Sequence, residues 1–227
     1  VGSSMFSPLN MLLMSYPQST YTSVCRAATL RNTIRRIAVF DAVVGEWPMR
    51  VEHGFGPVWD AGSRVLVLGS VPSPKSREMR FYYGHPRNRF WPVMAAVFHD
   101  DGCLRECRDP DQIVGLRRDF ALRHHMALWD VIESCDIDGA SDASIRNAVP
   151  NDLSPIIMRS KIAHVFTTGA KAAQLYRKLC VPLLRAHGLD GMPMTQLPST
   201  SPANAKADLP GLVEAYGCVA RSVSQAS

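Results

Sequence analysis

The sequence predicts an α/β domain of three layers, with a central, mostly parallel four-stranded sheet between two layers of helices. Short apolar runs suited to strands alternate with helical patterns along residues 65–220. Strands separated by helices need crossover connections, which make a sheet parallel and cover both its faces. The run Val65, Leu66, Val67 and Leu68, closed by Gly69, has the unbroken apolar character of a strand buried on both sides.

Residues 65–68 form the first strand. A helix follows over 91–98 with Asn88 near its N-terminus, and Pro92 is tolerable there because it falls in the first turn. A second helical pattern covers 111–123. The second strand is expected over 126–132, and Asn151, Asp152 and Pro155 then signal a capped helix running to about Ser160. The third strand covers 162–167, Gly169 turns the chain, and 170–179 is helical. The fourth strand covers 192–197, before a last helix over 209–220. Residues 136–151 read as a polar loop. In sheets of this kind ligands sit beyond the carboxyl ends of the strands, where the GSVPS turn (69–73), Trp129-Asp130 and LPSTSPAN (197–204) all fall.

With 227 residues, close to half of them apolar, and ordinary charge, the chain suits one globular domain with an extension. Residues 1–48 differ in character: Arg26, Arg31, Arg35 and Arg36 all precede the first carboxylate, Asp41, among many Ser and Thr. This composition fits either a transit peptide or an upstream translation or cloning remnant ahead of a start at Met49. The expected division is therefore a basic extension over 1–48 and a single domain over 49–227. No apolar run approaches the roughly 18 to 20 residues that span a bilayer, so no membrane partner is expected. The formal charge of +5 permits an acidic partner such as nucleic acid without requiring one. Six cysteines, Cys25, Cys103, Cys107, Cys135, Cys180 and Cys218, form no CxxC pair and no four-ligand spacing. Free thiols in a reducing, cytoplasmic setting are expected, with no metal and no cofactor. A monomer is expected.

Chemistry concentrates in 64–97. The turn Gly69-Ser70-Val71-Pro72-Ser73 offers backbone N–H groups and hydroxyls. Phe81, Tyr82 and Tyr83 offer ring faces beside the polar atoms of His85, Arg87 and Asn88. Together they suit a flat, hydrogen-bonding ligand.

GSVPS after the first strand, YYGHPRNRFW opening the next helix, and the C-terminal LPSTSPAN resemble the uracil-DNA glycosylase superfamily. Within it they are most similar to the hypoxanthine-DNA (deoxyinosine) glycosylases, while HP-x-NRFW also resembles the mismatch-specific uracil glycosylases. The matches span 64–220. The resemblance implies a monofunctional glycosylase whose partner is DNA containing deaminated bases, flipped out of the stack for hydrolysis of the N-glycosidic bond. Many relatives position water with an Asp or Asn where this chain has Val71. The resemblance implies that Asn88 takes that catalytic role, although Asn is also a favoured helix cap. It places Tyr83 as the ring that stacks on the base, against the alternative that the three aromatics are partly core. Ser70 and Val71 would meet the base through backbone N–H, and Ser73 would contact phosphate. Asp130 aligns with the Asn that reads the base edge; an ionised carboxylate only accepts, which suits the N1–H of hypoxanthine, though an Asp ending a strand is often a cap. Ser199, Thr200 and Ser201 would pinch the DNA backbone, and Leu197 stands where the motif usually has His. His85 is a further proton donor or a structural histidine. Lys75 and Arg87, with Arg77, Arg89 and Lys206, flank the two loops as candidate phosphate contacts. Some relatives carry an iron–sulfur cluster, whose cysteine arrangement is not matched here.

Overall fold

Two sheets organise the chain in the computed structural model, which describes residues 49–105, 107, 109–139 and 141–225. The extension expected over 1–48 lies outside the described residues. The strands are β1 (Met49–Glu52), β2 (Val65–Gly69), β3 (Met126–Asp130), β4 (Ile132–Ile137), β5 (Arg146–Pro150), β6 (His164–Thr168) and β7 (Met194–Leu197). The helices are α1 (Pro74–Glu78), α2 (Phe90–Phe98), α3 (Pro110–Arg123), α4 (Ser154–Met158), α5 (Ala170–Leu175), α6 (Val181–Arg185) and α7 (Leu209–Gln225).

The main sheet has the order β3-β2-β6-β7, every pair parallel. β2 lies inside it and all of its residues are buried. Strand side chains alternate between faces, and the two cores divide accordingly. Val65 and Val67 join Met126, Leu128 and Phe166 beneath Trp91 of α2, Phe120 of α3 and Tyr216 of α7. Leu66 and Leu68 join Ala127 and Val165 beneath Ile156 of α4, Leu175 of α5 and Leu184 of α6. This is the expected three-layer arrangement. Truncating one such leucine to alanine costs about 2–5 kcal/mol, so the doubly buried strand is the mechanical base of the molecule.

The second sheet, in the order β1-β4-β5, is antiparallel and was not expected. It corrects two expectations. The strand expected over 126–132 ends at Asp130, because Val131 and Ile132 donate their amides past the end of β2, to Gly69 O at 2.9 Å and Ser70 O at 3.0 Å. The chain is thereby bent off the parallel sheet, and Ile132 opens β4. The polar loop expected over 136–151 contains the end of β4 and the whole of β5, joined by a short 3₁₀ turn, Asp142–Ser144. The inner face of this sheet, with Val51, Ile132, Cys135 and Ile137, packs on the second core.

The helix expected over 170–179 forms, but it changes pitch partway and runs on beyond its expected end. After α5 the backbone widens into a π turn, Tyr176–Cys180, before α6. Pro182 follows after Val181 and has no N–H to give Lys178, so the regular ladder does not pass through it. Helices α1 and α6 were not expected; the other helices and strands depart from expectation by a few residues at their ends, and α7 runs on to Gln225.

Candidate active site

Three strands of the parallel sheet deliver their last residues to one place. Gly69 ends β2, Asp130 pairs with it at the end of β3, and Thr168 ends β6. Asp130 is buried, and its Oδ1 lies directly over Gly69, in space that a Cβ on that residue would occupy. Glycine here is a requirement of close approach, not of backbone freedom. The other carboxylate oxygen, Oδ2, lies 2.9 Å from Nε2 of His53, which is itself only 4% exposed. The Asp130 backbone is fixed too, its carbonyl accepting from Asn151 Nδ2 at 2.9 Å.

Tyr83 closes the group from above the sheet. Thr168 gives its hydroxyl hydrogen to Leu68 O at 3.2 Å, so the Tyr83 phenol, 3.4 Å from Thr168 Oγ1, is the donor between them. One face of the Tyr83 ring stacks on Phe90, with centroids 3.7 Å apart and planes 14° from parallel. The residue holds φ +53°, a left-handed conformation uncommon outside glycine. Holding a tyrosine there costs on the order of 1 kcal/mol, strain of a kind that clusters at functional sites. Burial, and secondarily the Asp130 charge, push the Tyr83 phenol well above the ordinary tyrosine range. Phe81 and Tyr82 are core residues, and the Tyr82 hydroxyl is spent on Gly56 O.

Asn88 is half-buried and its Oδ1 accepts the N–H of Phe90 at 2.9 Å, just ahead of α2. It therefore does the work of a cap, with Oδ1 retaining a second lone pair. His85 Nδ1 accepts from Arg87 N at 3.1 Å. Ser70 is buried and donates to Asp142 Oδ1 at 2.9 Å, while Val71 is half-buried against the second core. Ser73 caps α1 through its hydroxyl, and Lys75 pairs with the exposed Glu78 at 2.7 Å. Arg87 is exposed and unencumbered at its side chain among the described interactions.

The second loop is tied to the first by Arg89. Its guanidinium donates to Ser201 O at 2.8 Å, to Asn204 O at 2.9 Å, to Ala207 O and, more weakly, to Thr200 O. This corrects the expectation that Arg89 meets phosphate: it is consumed inside the protein, where the turn leaves several carbonyls without strand partners. Thr200 is buried, while Ser199 Oγ and Ser201 Oγ accept from Ser201 N and Ala203 N. Ser199 also lies against Gly169, whose φ of +101° and lack of a Cβ allow the approach. Leu197 is core.

A cleft of about 390 Å³ opens beside His53, lined also by Phe55, Asn151 and the carboxylates Glu52 and Glu133. Neither Asp130 nor Tyr83 lines it, and its negative charge makes it a poor seat for a phosphate backbone. His53, Thr168 and Asp142 were missed by the sequence reasoning. Thr168 had a usable signal, since it ends a strand beside the glycine that turns the chain.

The sequence model of the uracil DNA glycosylase superfamily matches residues 55–216. A hypoxanthine DNA glycosylase of Methanosarcina barkeri is 27% identical over 166 residues, 73% of this chain and 98% of that protein. Another, from Methanosarcina acetivorans, is 29% identical over 157 residues, covering 69% and 90%. Among solved structures, the solution NMR structure of a candidate uracil DNA glycosylase from Methanosarcina acetivorans superposes with a TM-score of 0.61 at 27% identity. It covers 78% of this chain and 99% of its own.

Proposed function

The chain belongs to the uracil DNA glycosylase superfamily and is a DNA glycosylase, and from that premise we propose that the base it removes is hypoxanthine. The observation that carries this is Asp130. A buried carboxylate whose Oδ1 lies over Gly69 is an acceptor and nothing else. Hypoxanthine offers it N1–H, whereas adenine, its amino parent, offers a lone pair. The names of the two Methanosarcina relatives support the same lesion.

In this assignment the flipped base stacks on the face of Tyr83 opposite Phe90. Ser70 and Val71 meet the base edge through their backbone. Asn88 orients water toward the anomeric carbon with the lone pair left on Oδ1, and the Phe90 N–H bond fixes that oxygen's direction. Ser73, Ser199, Thr200 and Ser201 approach the DNA backbone, Thr200 from a largely buried position. Lys75 and Arg87 meet phosphates, and Arg89 holds the second loop in shape for that contact. The activity is assigned to residues 49–227, acting as a monomer. Leu197 leaves the departing base without the usual histidine, which favours a base that departs without it over uracil.

Uracil carries the same N–H beside a carbonyl, so it is the competing lesion. The test is a panel of duplexes carrying deoxyinosine, deoxyuridine, deoxyxanthosine or ethenodeoxyadenosine, each treated with alkali after incubation. Strand scission at inosine, dependent on alkali, is expected. Scission at uracil alone moves the assignment to the mismatch-specific uracil class, and scission at none makes the chain a non-catalytic relative.

A further inference from the structure

We infer that His53 is a positioning residue that lets the site tell a deaminated base from its amino parent, by fixing which oxygen of Asp130 faces the base. The inference rests on the assignment of Asp130 as the base reader. His53 follows β1, its main-chain N–H donates to Glu133 O at 2.7 Å, and its ring packs on Phe55 and Tyr82, with centroids 4.4 Å and 5.9 Å away. The antiparallel sheet therefore dictates where the imidazole stands.

The ring has one polar partner and one orphan. Nε2 meets Asp130 Oδ2, whereas Nδ1 is buried without a hydrogen-bond partner among the described residues. A proton on Nδ1 would be a buried donor with nothing to receive it, which costs more than leaving a weak acceptor bare. The neutral tautomer with its hydrogen on Nε2 satisfies the geometry. Oδ2 is then occupied, Oδ1 is left over Gly69, and Asn151 holds the backbone behind.

Deamination changes one atom in a way this arrangement detects. Adenine N1 and cytosine N3 are bare nitrogens; in hypoxanthine and uracil the same positions carry hydrogen. A fixed Oδ1 opposite that atom receives a hydrogen bond from the deaminated base and meets a lone pair in the parent. A carboxylate free to rotate would turn to the parent's amino group and accept from it instead. Discrimination thus needs an immobile oxygen, and His53 supplies the immobility. Guanine already carries N1–H, so this device separates adenine from hypoxanthine and not guanine from xanthine.

The test uses the full chain in single-turnover excision on duplexes carrying deoxyinosine or deoxynebularine, the latter having the bare nitrogen and no exocyclic group. In His53→Ala the ratio of inosine to nebularine excision is expected to fall about tenfold or more, the scale of one unmade hydrogen bond in a buried site. His53→Gln, whose amide N–H can stand in for Nε2–H, should recover most of that ratio. In an Asp130→Ala background, His53→Ala should change the ratio less than about twofold, since the side chain it positions is gone. An equal loss on both substrates, no recovery by glutamine, or an undiminished His53 effect in the Asp130→Ala background would each make His53 a packing residue and overturn the inference. Imidazole ¹⁵N shifts of the unaltered protein provide a readout without activity: hydrogen on Nε2 is expected, and hydrogen on Nδ1 overturns the inference even if no variant folds. If the protein cuts uracil and not inosine, the lesion assignment fails while the His53 test proceeds with uracil and cytosine as the pair.

Discussion

In the parallel sheet each site residue stands at the carboxyl end of a strand, Gly69 on β2, Asp130 on β3 and Thr168 on β6. The antiparallel sheet reaches the same place from the side: His53, beyond β1, holds Asp130, and Asp142, between β4 and β5, holds Ser70. The first sheet decides where the groups stand. The second decides which of their atoms remain free to meet a ligand. A residue can thus be pointed to by a motif while its hydrogen-bond partners come from a part of the chain that carries no motif at all.

This comparison is open to being broken, and Asn88 is the first place to try. It belongs to the loop ahead of α2, with no bond to the antiparallel sheet among the described interactions. Asn88→Ala is expected to lower single-turnover excision by about 10² to 10⁴, with a loss of stability no larger than the roughly 0.5–2 kcal/mol of a missing cap. Wild-type excision in a folded variant would reduce Asn88 to a cap and leave the motif side without its catalyst.

Tyr83 sharpens the same side. Tyr83→Ala should weaken capture of the flipped base by about 1–3 kcal/mol, while Tyr83→Phe should lose far less because the ring, still stacked on Phe90, keeps its open face. Equal losses in single-turnover excision would transfer the role to the hydroxyl beside Thr168.

The antiparallel side is expected to answer more quietly. Asp142→Asn keeps an acceptor for Ser70 but removes its charge, and base capture should change by no more than the roughly 0.5–1.5 kcal/mol of one hydrogen bond. A loss as deep as that of Asn88→Ala would erase the division of labour between the sheets. Smallest of all is Arg50→Ala, which removes exposed bonds to Asn147 O, Ser134 Oγ and Asp136. Chemical denaturation should register less than about 1 kcal/mol, with excision unchanged.

The parallel sheet was legible because its strands are covered on both faces, so that Val65 to Leu68 appear as an uninterrupted apolar run whatever packs above them. β4 and β5 carry no such mark. Ile132 sits in an apolar stretch continuous with β3, and β5 is a largely exposed five-residue segment ending in Pro150. The site divides in the same way. Gly69, Tyr83 and Asp130 announce themselves through contiguous motifs or strand ends. His53 lies 77 residues from the carboxylate it touches, in a segment whose polar residues follow no pattern. Arg89 was visible as a charge, but the carbonyls that consume it are exposed to it only once the loop after Leu197 has folded.

Val131 alone separates β3 from β4, so a single residue joins the two sheets. Its consequence lies in the order of assembly. The β4–β5 hairpin closes a short loop, whereas β2 must find β3 across about 60 residues and β6 across about 100, contacts that carry the larger entropic cost. The hairpin by itself lacks the surface on which Asp130 is presented. Competence to cut requires the long-range pairing of the parallel strands, so a chain without that pairing is silent rather than indiscriminate.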